Sequence, residues 1–508
     1  MSDAIVVGAG HNGLVAANVL ADAGWSVLVL ESEPEPGGAV RSGELTVPGV
    51  VHDLFSAFYP LAAASPHIAG LGLGDFGLRW RRAPRVLAHP TPDGRCAVLS
   101  TDLDATAASL DTYAAGDGDA WRRLYGLWER VGGHFLEAML SPFPPVRGAL
   151  GVAADLRRPS GLLRFARHAV LPVRRLAEET FKGAGGGLLL AGNTLHTDLS
   201  PDAAAGGLYG WLLCSLGQQH GFPVPEGGAG ELTGALVRRL GSRGGRVECG
   251  RRVTRIEVRG GRAVGVVTAD GTAVAARRAV LADVAAPSLF LDLVGPEHLP
   301  ARFVDDLRRF QFDSAVVKVD WALSGPIPWK AEEAAGAGTV HVADSMDELT
   351  MYSAELSTAR IPTHPFLIVG QMAVADPTRS PNAWAYTHVP QQAWDDSLTD
   401  RFADVVEARI ERLAPGFRDV ILARHVFTPT TLPEGAVNGG TARIHQQLIF
   451  RPAPGLARPE TPVPGLYLAG SSAHPGGGVH GAPGANAARA ALLRARLRRG
   501  RPAARPAG

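Results

Sequence analysis

Apolar positions change their spacing several times along the chain, and each change predicts an element. Residues 4–7 are a continuous apolar run, the mark of a strand buried on both faces. Residues 14–23 carry Leu, Val and Ala at helical spacing, and residues 27–30 form a second continuous run that ends on Glu31. Further strands are expected over 78–87, 96–99, 279–283, 315–321 and 366–374. Helices are expected over 104–115, 119–139, 231–240 and 400–413, and from about 485 to 497. Pro92-Asp93-Gly94, Gly260-Gly261 and Asp270-Gly271 read as hairpin turns between short apolar runs.

The first two strands and their helix enclose Gly8-x-Gly10-x-x-Gly13. In this β-α-β context each glycine has a task. Gly8 permits the tight turn, Gly10 lets backbone approach a pyrophosphate, and Gly13 lets helix pack on strand. The helix N-terminus offers N–H groups and a partial positive charge to the phosphates. Glu31 closes the second strand, where a carboxylate can bind ribose hydroxyls. Gly37-Gly38 then precedes Arg41, a close-approach turn followed by a fork of donors, which suits a diphosphate. A second glycine-rich turn, Gly470 to Gly481, lies between a short apolar run and an Ala-rich helix, and again places backbone N–H groups at a helix start.

The motifs Gly8-Ala-Gly-His-Asn-Gly-Leu14, Gly37-Gly-Ala-Val-Arg-Ser42 and Gly470 to Ala482 resemble the FAD-binding signatures of the phytoene desaturase-like flavoprotein superfamily. His11-Asn12 within the turn is most similar to the branch of pyridine nucleotide-disulfide oxidoreductase domain-containing protein 2 and its bacterial relatives. The resemblance implies one FAD. It puts backbone at Val253 on the adenine, Gly470 and Ser471 at the ribityl-phosphate, and Val479, His480 and Gly481 at the flavin pyrimidine edge. It also runs His52, Asp53 and Tyr59 beneath the flavin. The implied fold is α/β, a Rossmann-like, glutathione reductase-like FAD-binding domain with an inserted mixed α+β substrate domain. The FAD-binding parts are then 1–76, 226–290 and 441–497, the substrate parts are 77–225 and 291–440, and 498–508 is a disordered tail rich in Arg, Pro and Ala.

A chain of 508 residues fits more than one structural unit, and 46% hydrophobic with 19% charged residues fits a globular protein. A net charge of +1 argues against nucleic acid as the main partner. Cys96, Cys214 and Cys249 lie far apart without a C-x-x-C, which speaks against a dithiol centre or a cysteine metal site and fits a reducing, cytoplasmic setting. Residues 147–182 hold eight Arg or Lys against three acids, with Leu162, Leu163, Phe165, Val170 and Leu171 among them. That composition suits a basic amphipathic helix lying on an anionic membrane surface, or equally a solvated face or a homodimer contact.

With one G-x-G-x-x-G set between strand and helix in a β-α-β unit, a separate nicotinamide domain is not expected. Hydride would pass between an organic substrate and flavin N5, and the apolar inserted domain suits a hydrophobic, isoprenoid- or lipid-like substrate that is desaturated, dehydrogenated or isomerised. His480, His474, His52 and Tyr59 are the candidates for the accompanying proton transfer. Two alternatives stay open. One is an amine oxidase-like enzyme with Lys318 near the flavin, although Ser471 stands where such enzymes often carry an acid. The other is a flavin-bearing regulatory or interaction protein with little turnover.

Overall fold

In the computed structural model, which describes residues 1–432 and 438–499, two seven-stranded sheets carry the architecture. Ser2–Val7 lies in the middle of the first sheet. It pairs in parallel with Val27–Leu30 on one side and Ala273–Ala282 on the other. Arg246–Glu248 and Leu466–Leu468 extend the parallel part, and the meander Val253–Arg259, Arg262–Thr268, Ala273–Ala282 completes the other edge.

The continuous apolar runs follow from burial on both faces. Ala4, Val6, Val27, Val29, Ala279 and Leu281 pack under the helices His11–Asp22, Gly230–Ser242 and Ala482–Arg499. Their neighbours Ile5, Val7, Leu28, Leu30, Val280 and Ala282 pack on the opposite side against Val253, Ile256 and Phe290.

The second sheet runs Ile421–Phe427, Ala315–Leu323, Asn382–Val389, Leu367–Gln371, Ala337–Val342, Arg85–Pro90, Cys96–Leu99. Every pair is antiparallel except Ala337–Val342 with Arg85–Pro90. Strand alternation divides its side chains. Val317, Val319, Trp321, Ala383, Ala385, Val369, Val340 and Ala88 form a dry layer against Phe402, Val406 and Ile410 of the helix Thr399–Leu413. The other face holds Lys318, Asp320, Trp384, Tyr386, His388, His341 and His89, as the cross-strand register requires.

Several sequence expectations are corrected. The strand expected over 78–87 divides into Trp80–Arg81, which pairs with Val224–Pro225, and Arg85–Pro90. Pro84 stands between them and has no N–H for a ladder. The strand expected over 366–374 ends at Gln371, where Met372–Ala375 turns helical. The basic stretch 147–182 is three helices, Val146–Leu156, Pro159–Val170 and Val173–Thr180. Arg157 takes a left-handed φ of 56° just before Pro159, and Pro172 ends the second helix. The expected tail 498–508 begins inside the last helix, which runs to Arg499, and 500–508 lie outside the described residues. No helix among the described residues is long and apolar enough to cross a membrane.

Candidate active site

The first half of the site is a cradle made almost entirely of backbone. Gly8 adopts φ 90° at the end of Ser2–Val7, and its N–H donates to Leu30 O at 2.8 Å. A side chain at Gly13 would run into Gly8 O, so strand end and helix start approach as only glycine allows. Gly37 N donates to Ala9 O at 2.8 Å, and a Cβ on Gly38 would stand 3.1 Å from Gly10 Cα. The Gly37-Gly38 turn is thus pressed onto the glycine turn of the first motif. Arg41 is held by a bond from Nε to Gly38 O (3.0 Å) and lies over the Phe55 ring. Glu31 accepts from Ala9 N at 2.6 Å and from Glu33 N at 3.0 Å, which fixes its carboxylate beside the turn.

A cavity of about 300 Å³ opens here, lined by Val7, Gly8, Leu30, Ser32, Arg252 and Val253 among others. Its position between the glycine turn and Val253 fits the adenosine half of a dinucleotide. The Gly470 loop closes the far side. Asn12 Nδ2 donates to Ser471 Oγ at 3.3 Å, and Ser65 Oγ donates to His480 O at 2.6 Å. Fully buried Arg451 braces the loop through Ser471 O and Asn438 O, each at 2.8 Å. Val479 packs on the first core, and Gly481 takes φ 70° against Val15. A side chain at Gly484 would collide with Asn12 O, so the helix Ala482–Arg499 is seated directly on the start of His11–Asp22.

The second half is made of side chains. Val51–Asp53 leads from the cradle to the second sheet and is pinned there. Arg379 donates to Asp53 Oδ2 and to Val51 O, both at 2.7 Å, and Asn382 Nδ2 donates to Val51 O at 2.7 Å. Asp53 Oδ1 accepts from Ala229 N at 2.7 Å and Ser42 Oγ at 3.0 Å, which satisfies this buried carboxylate. Lys318 Nζ reaches Asp53 O at 2.9 Å and both oxygens of Asp320 at 2.5 Å, between the Trp384 and Phe427 rings. Burial pushes the Lys318 ammonium below its ordinary pKa, against the pull of Asp320 and Asp53. His52 bridges from Thr46 Oγ1 at 2.8 Å toward Asp320 Oδ1 at 3.6 Å. Tyr59 Oη donates to Ser56 O at 2.8 Å, and burial followed by Asp53 raises its pKa well above 10.

The same sheet face continues past Trp384 into a histidine file. Tyr386 stacks on Trp384, and His196 meets Tyr386 and His341 edge-on. His196 Nε2 and His341 Nε2 stand 3.0 Å apart. One ring must donate and the other accept, so the two are opposite tautomers. Burial lowers His196 to about 3, and His89 and His388 to about 4. Among the described residues no group of three His, Cys, Asp or Glu side chains is placed to hold a metal.

The four proton-transfer candidates therefore fall into two groups. His52 and Tyr59 adjoin Lys318 and Asp320. His474 and His480 lie in the Gly470 loop, where burial lowers their pKa to about 4 and about 3. His474 contacts Ser141 O at 3.1 Å, and His480 Nδ1 accepts from Ala482 N at 3.2 Å. Asp320, Arg379 and Arg451 were not anticipated. Lys318-x-Asp320 on a strand does place both on one face, a readable signal; nothing local marks Arg379 or Arg451.

A dinucleotide cradle at one end and a lysine- and aromatic-lined face at the other define an FAD-dependent oxidoreductase. The chain belongs to the flavin containing amine oxidoreductase family, whose profile matches residues 13–492. It is 28% identical over 543 aligned residues to pyridine nucleotide-disulfide oxidoreductase domain-containing protein 2 of Mus musculus, covering 96% of this chain and 92% of that one. It is 28% identical to hydroxyneurosporene desaturase of Cereibacter sphaeroides, covering 94% of each. Among solved structures, an oxidoreductase from Methanosarcina mazei shares the fold, with a TM-score of 0.64 at 17% identity over 96% of this chain and 99% of that one.

Proposed function

We propose that the protein desaturates, dehydrogenates or isomerises a hydrophobic, isoprenoid- or lipid-like substrate. The observation that carries this reading is the state of Lys318. Its ammonium is tied to Asp320 and Asp53 O between two aromatic rings, so the site face offers an aromatic wall with its charge internally neutralised. Such a wall favours an apolar ligand, since a polar one would leave buried groups unpaired. The desaturase among the relatives supports the same direction. FAD, when bound, supplies hydride transfer at flavin N5. The residues of the chain exclude water, orient the substrate and handle the proton released or gained at the neighbouring carbon. His52, set between Thr46 and Asp320, is the favoured proton-handling group.

An anionic bilayer is the proposed source of the substrate. The helix Pro159–Val170 buries none of its residues, and Leu162, Leu163 and Val170 are exposed. Val146 and Leu150 are exposed on the preceding helix, and Arg157, Arg158 and Arg164 are exposed on and between the same two helices. Apolar contact flanked by cations suits an anionic membrane surface.

The second reading, amine oxidation, is favoured by the presence of Lys318 on the site face and by the family's description. One anaerobic experiment separates the two. Flavin bleaching is followed with isoprenoids in anionic vesicles and, separately, with a panel of amines. The first reading expects reduction by isoprenoids and about 10²-fold or greater slowing in His52→Ala with flavin still bound, in line with loss of a general base. Reduction by amines alone, abolished in Lys318→Met, establishes the second reading and overturns the first.

A further inference from the structure

Among the described residues, Asp283 is the charged side chain that stands against both glycine loops. It follows the strand Ala273–Ala282, and its N–H donates to Val7 O at 2.8 Å, directly beneath the first glycine turn. Its Oδ2 accepts from Gly13 N at 2.7 Å. A Cβ built on Gly10 would stand 2.6 Å from the same oxygen, and one on Gly8 would stand 2.6 Å from Asp283 O. A Cβ on Gly470, the first residue of the other loop, would stand 3.0 Å from Asp283 Oδ1. The carboxyl is therefore wedged between the helix start that attracts a diphosphate and the loop that closes over it.

A carboxylate in this place is anionic where the ligand is anionic. The helix N-terminus favours one negative charge, and two compete for it. The other groups around Asp283 do little to relieve that. Glu31, from the end of Val27–Leu30, adds a further negative charge and is already bound to Ala9 N. His11, on the opening helix, is lowered to about 4 by burial and is neutral near pH 7. Ser471 from the Gly470 loop is uncharged. Arg41, from the Gly37-Gly38 turn, is engaged with Gly38 O and Phe55, and Arg252 and Asp292 on the cavity wall offset each other in sign.

We propose that Asp283 is a cofactor-binding residue that holds the FAD diphosphate site as the neutral acid, so that binding FAD takes up one proton at this carboxyl. As the acid, Asp283 still accepts from Gly13 N through one oxygen, while its negative charge is gone. Burial, opposed by the Gly13 N–H and aided by Glu31, already raises this carboxyl to about 7 before the ligand arrives. A diphosphate adds negative charge and completes the burial, and both push the same way. Below about pH 7 the acid is present in the free protein and FAD affinity is flat. Above that, affinity falls by up to tenfold per pH unit until the bound-state pKa is reached. This proton uptake does not depend on the substrate.

The test is FAD titration of the deflavinated full-length protein between about pH 6 and pH 9, read by quenching of flavin fluorescence. The dissociation constant is expected to be level at the acid end and to rise several-fold to tenfold per unit at the alkaline end. Asp283→Asn is expected to remove the rise, whereas Glu31→Gln is expected to weaken binding and keep it. Calorimetry of the unsubstituted protein near pH 8, in buffers of different ionisation enthalpy, is expected to show uptake of close to one proton, a readout that needs no variant to fold. A dissociation constant that does not change with pH, no proton uptake, or a full slope retained in Asp283→Asn each overturns the proposal.

Discussion

The two sheets each carry a buried apolar core but solve different problems. The first is dry on both faces, and what it offers the ligand is mostly backbone: the turns at Gly8, Gly10, Gly37 and Gly470, with Asp283 and Glu31 the acids set against them. The second is dry on one face only. Its other face carries Lys318, Asp320, Tyr386, His388, His341 and His89, each needing a partner. Binding is thus entrusted to geometry that tolerates no added atoms, and chemistry to a polar network that tolerates no missing ones. The two are joined at Asp53 and Arg379.

The largest expected effect breaks the first kind of site. Gly10→Val adds atoms where Asp283 Oδ2 already stands, and the purified variant is expected to lose its flavin absorbance while its far-UV circular dichroism remains. Flavin retained at wild-type occupancy would contradict a cradle that depends on backbone approach. Arg379→Leu is next, and it strikes the joint. It leaves Asp53 buried without its cation, a loss of about 3–5 kcal/mol in urea unfolding. A loss below about 1 kcal/mol would mean that the two sheets are not coupled through this pair. The smallest effect sharpens the second sheet. His196, lowered to about 3, keeps its full stabilising share above its unfolded value of 6.5 and loses it as pH falls below that. Stability is expected to drop between about pH 7 and pH 5, and His196→Gln is expected to make the slope shallower by up to about 1.4 kcal/mol per pH unit. An unchanged slope would show that the ring titrates as if exposed.

The same contrast explains what could be read from the chain alone. The glycine turns announce themselves by residue type at fixed spacing, and Gly8, Gly10 and Gly13 are close in sequence as well as in space. The alternating strand around Lys318 was legible too, and with it the face Lys318 occupies. The partners were not. Arg379 meets Asp53 across 326 positions, and Asp283 meets Gly13 across 270. No periodicity encodes such pairings. The division of 147–182 into three helices did have a local cause, since Pro159 and Pro172 lie inside the stretch, and charge counting passed over them.

The contact between Gly484 and Asn12 has a consequence in time. The glycine turn at the start of the chain is completed by a helix made some 470 residues later. At about 5–20 residues per second, the opening turn waits roughly half a minute to a minute and a half on the ribosome before its counterpart exists. Completion of this cradle is therefore a late event in the life of each new molecule.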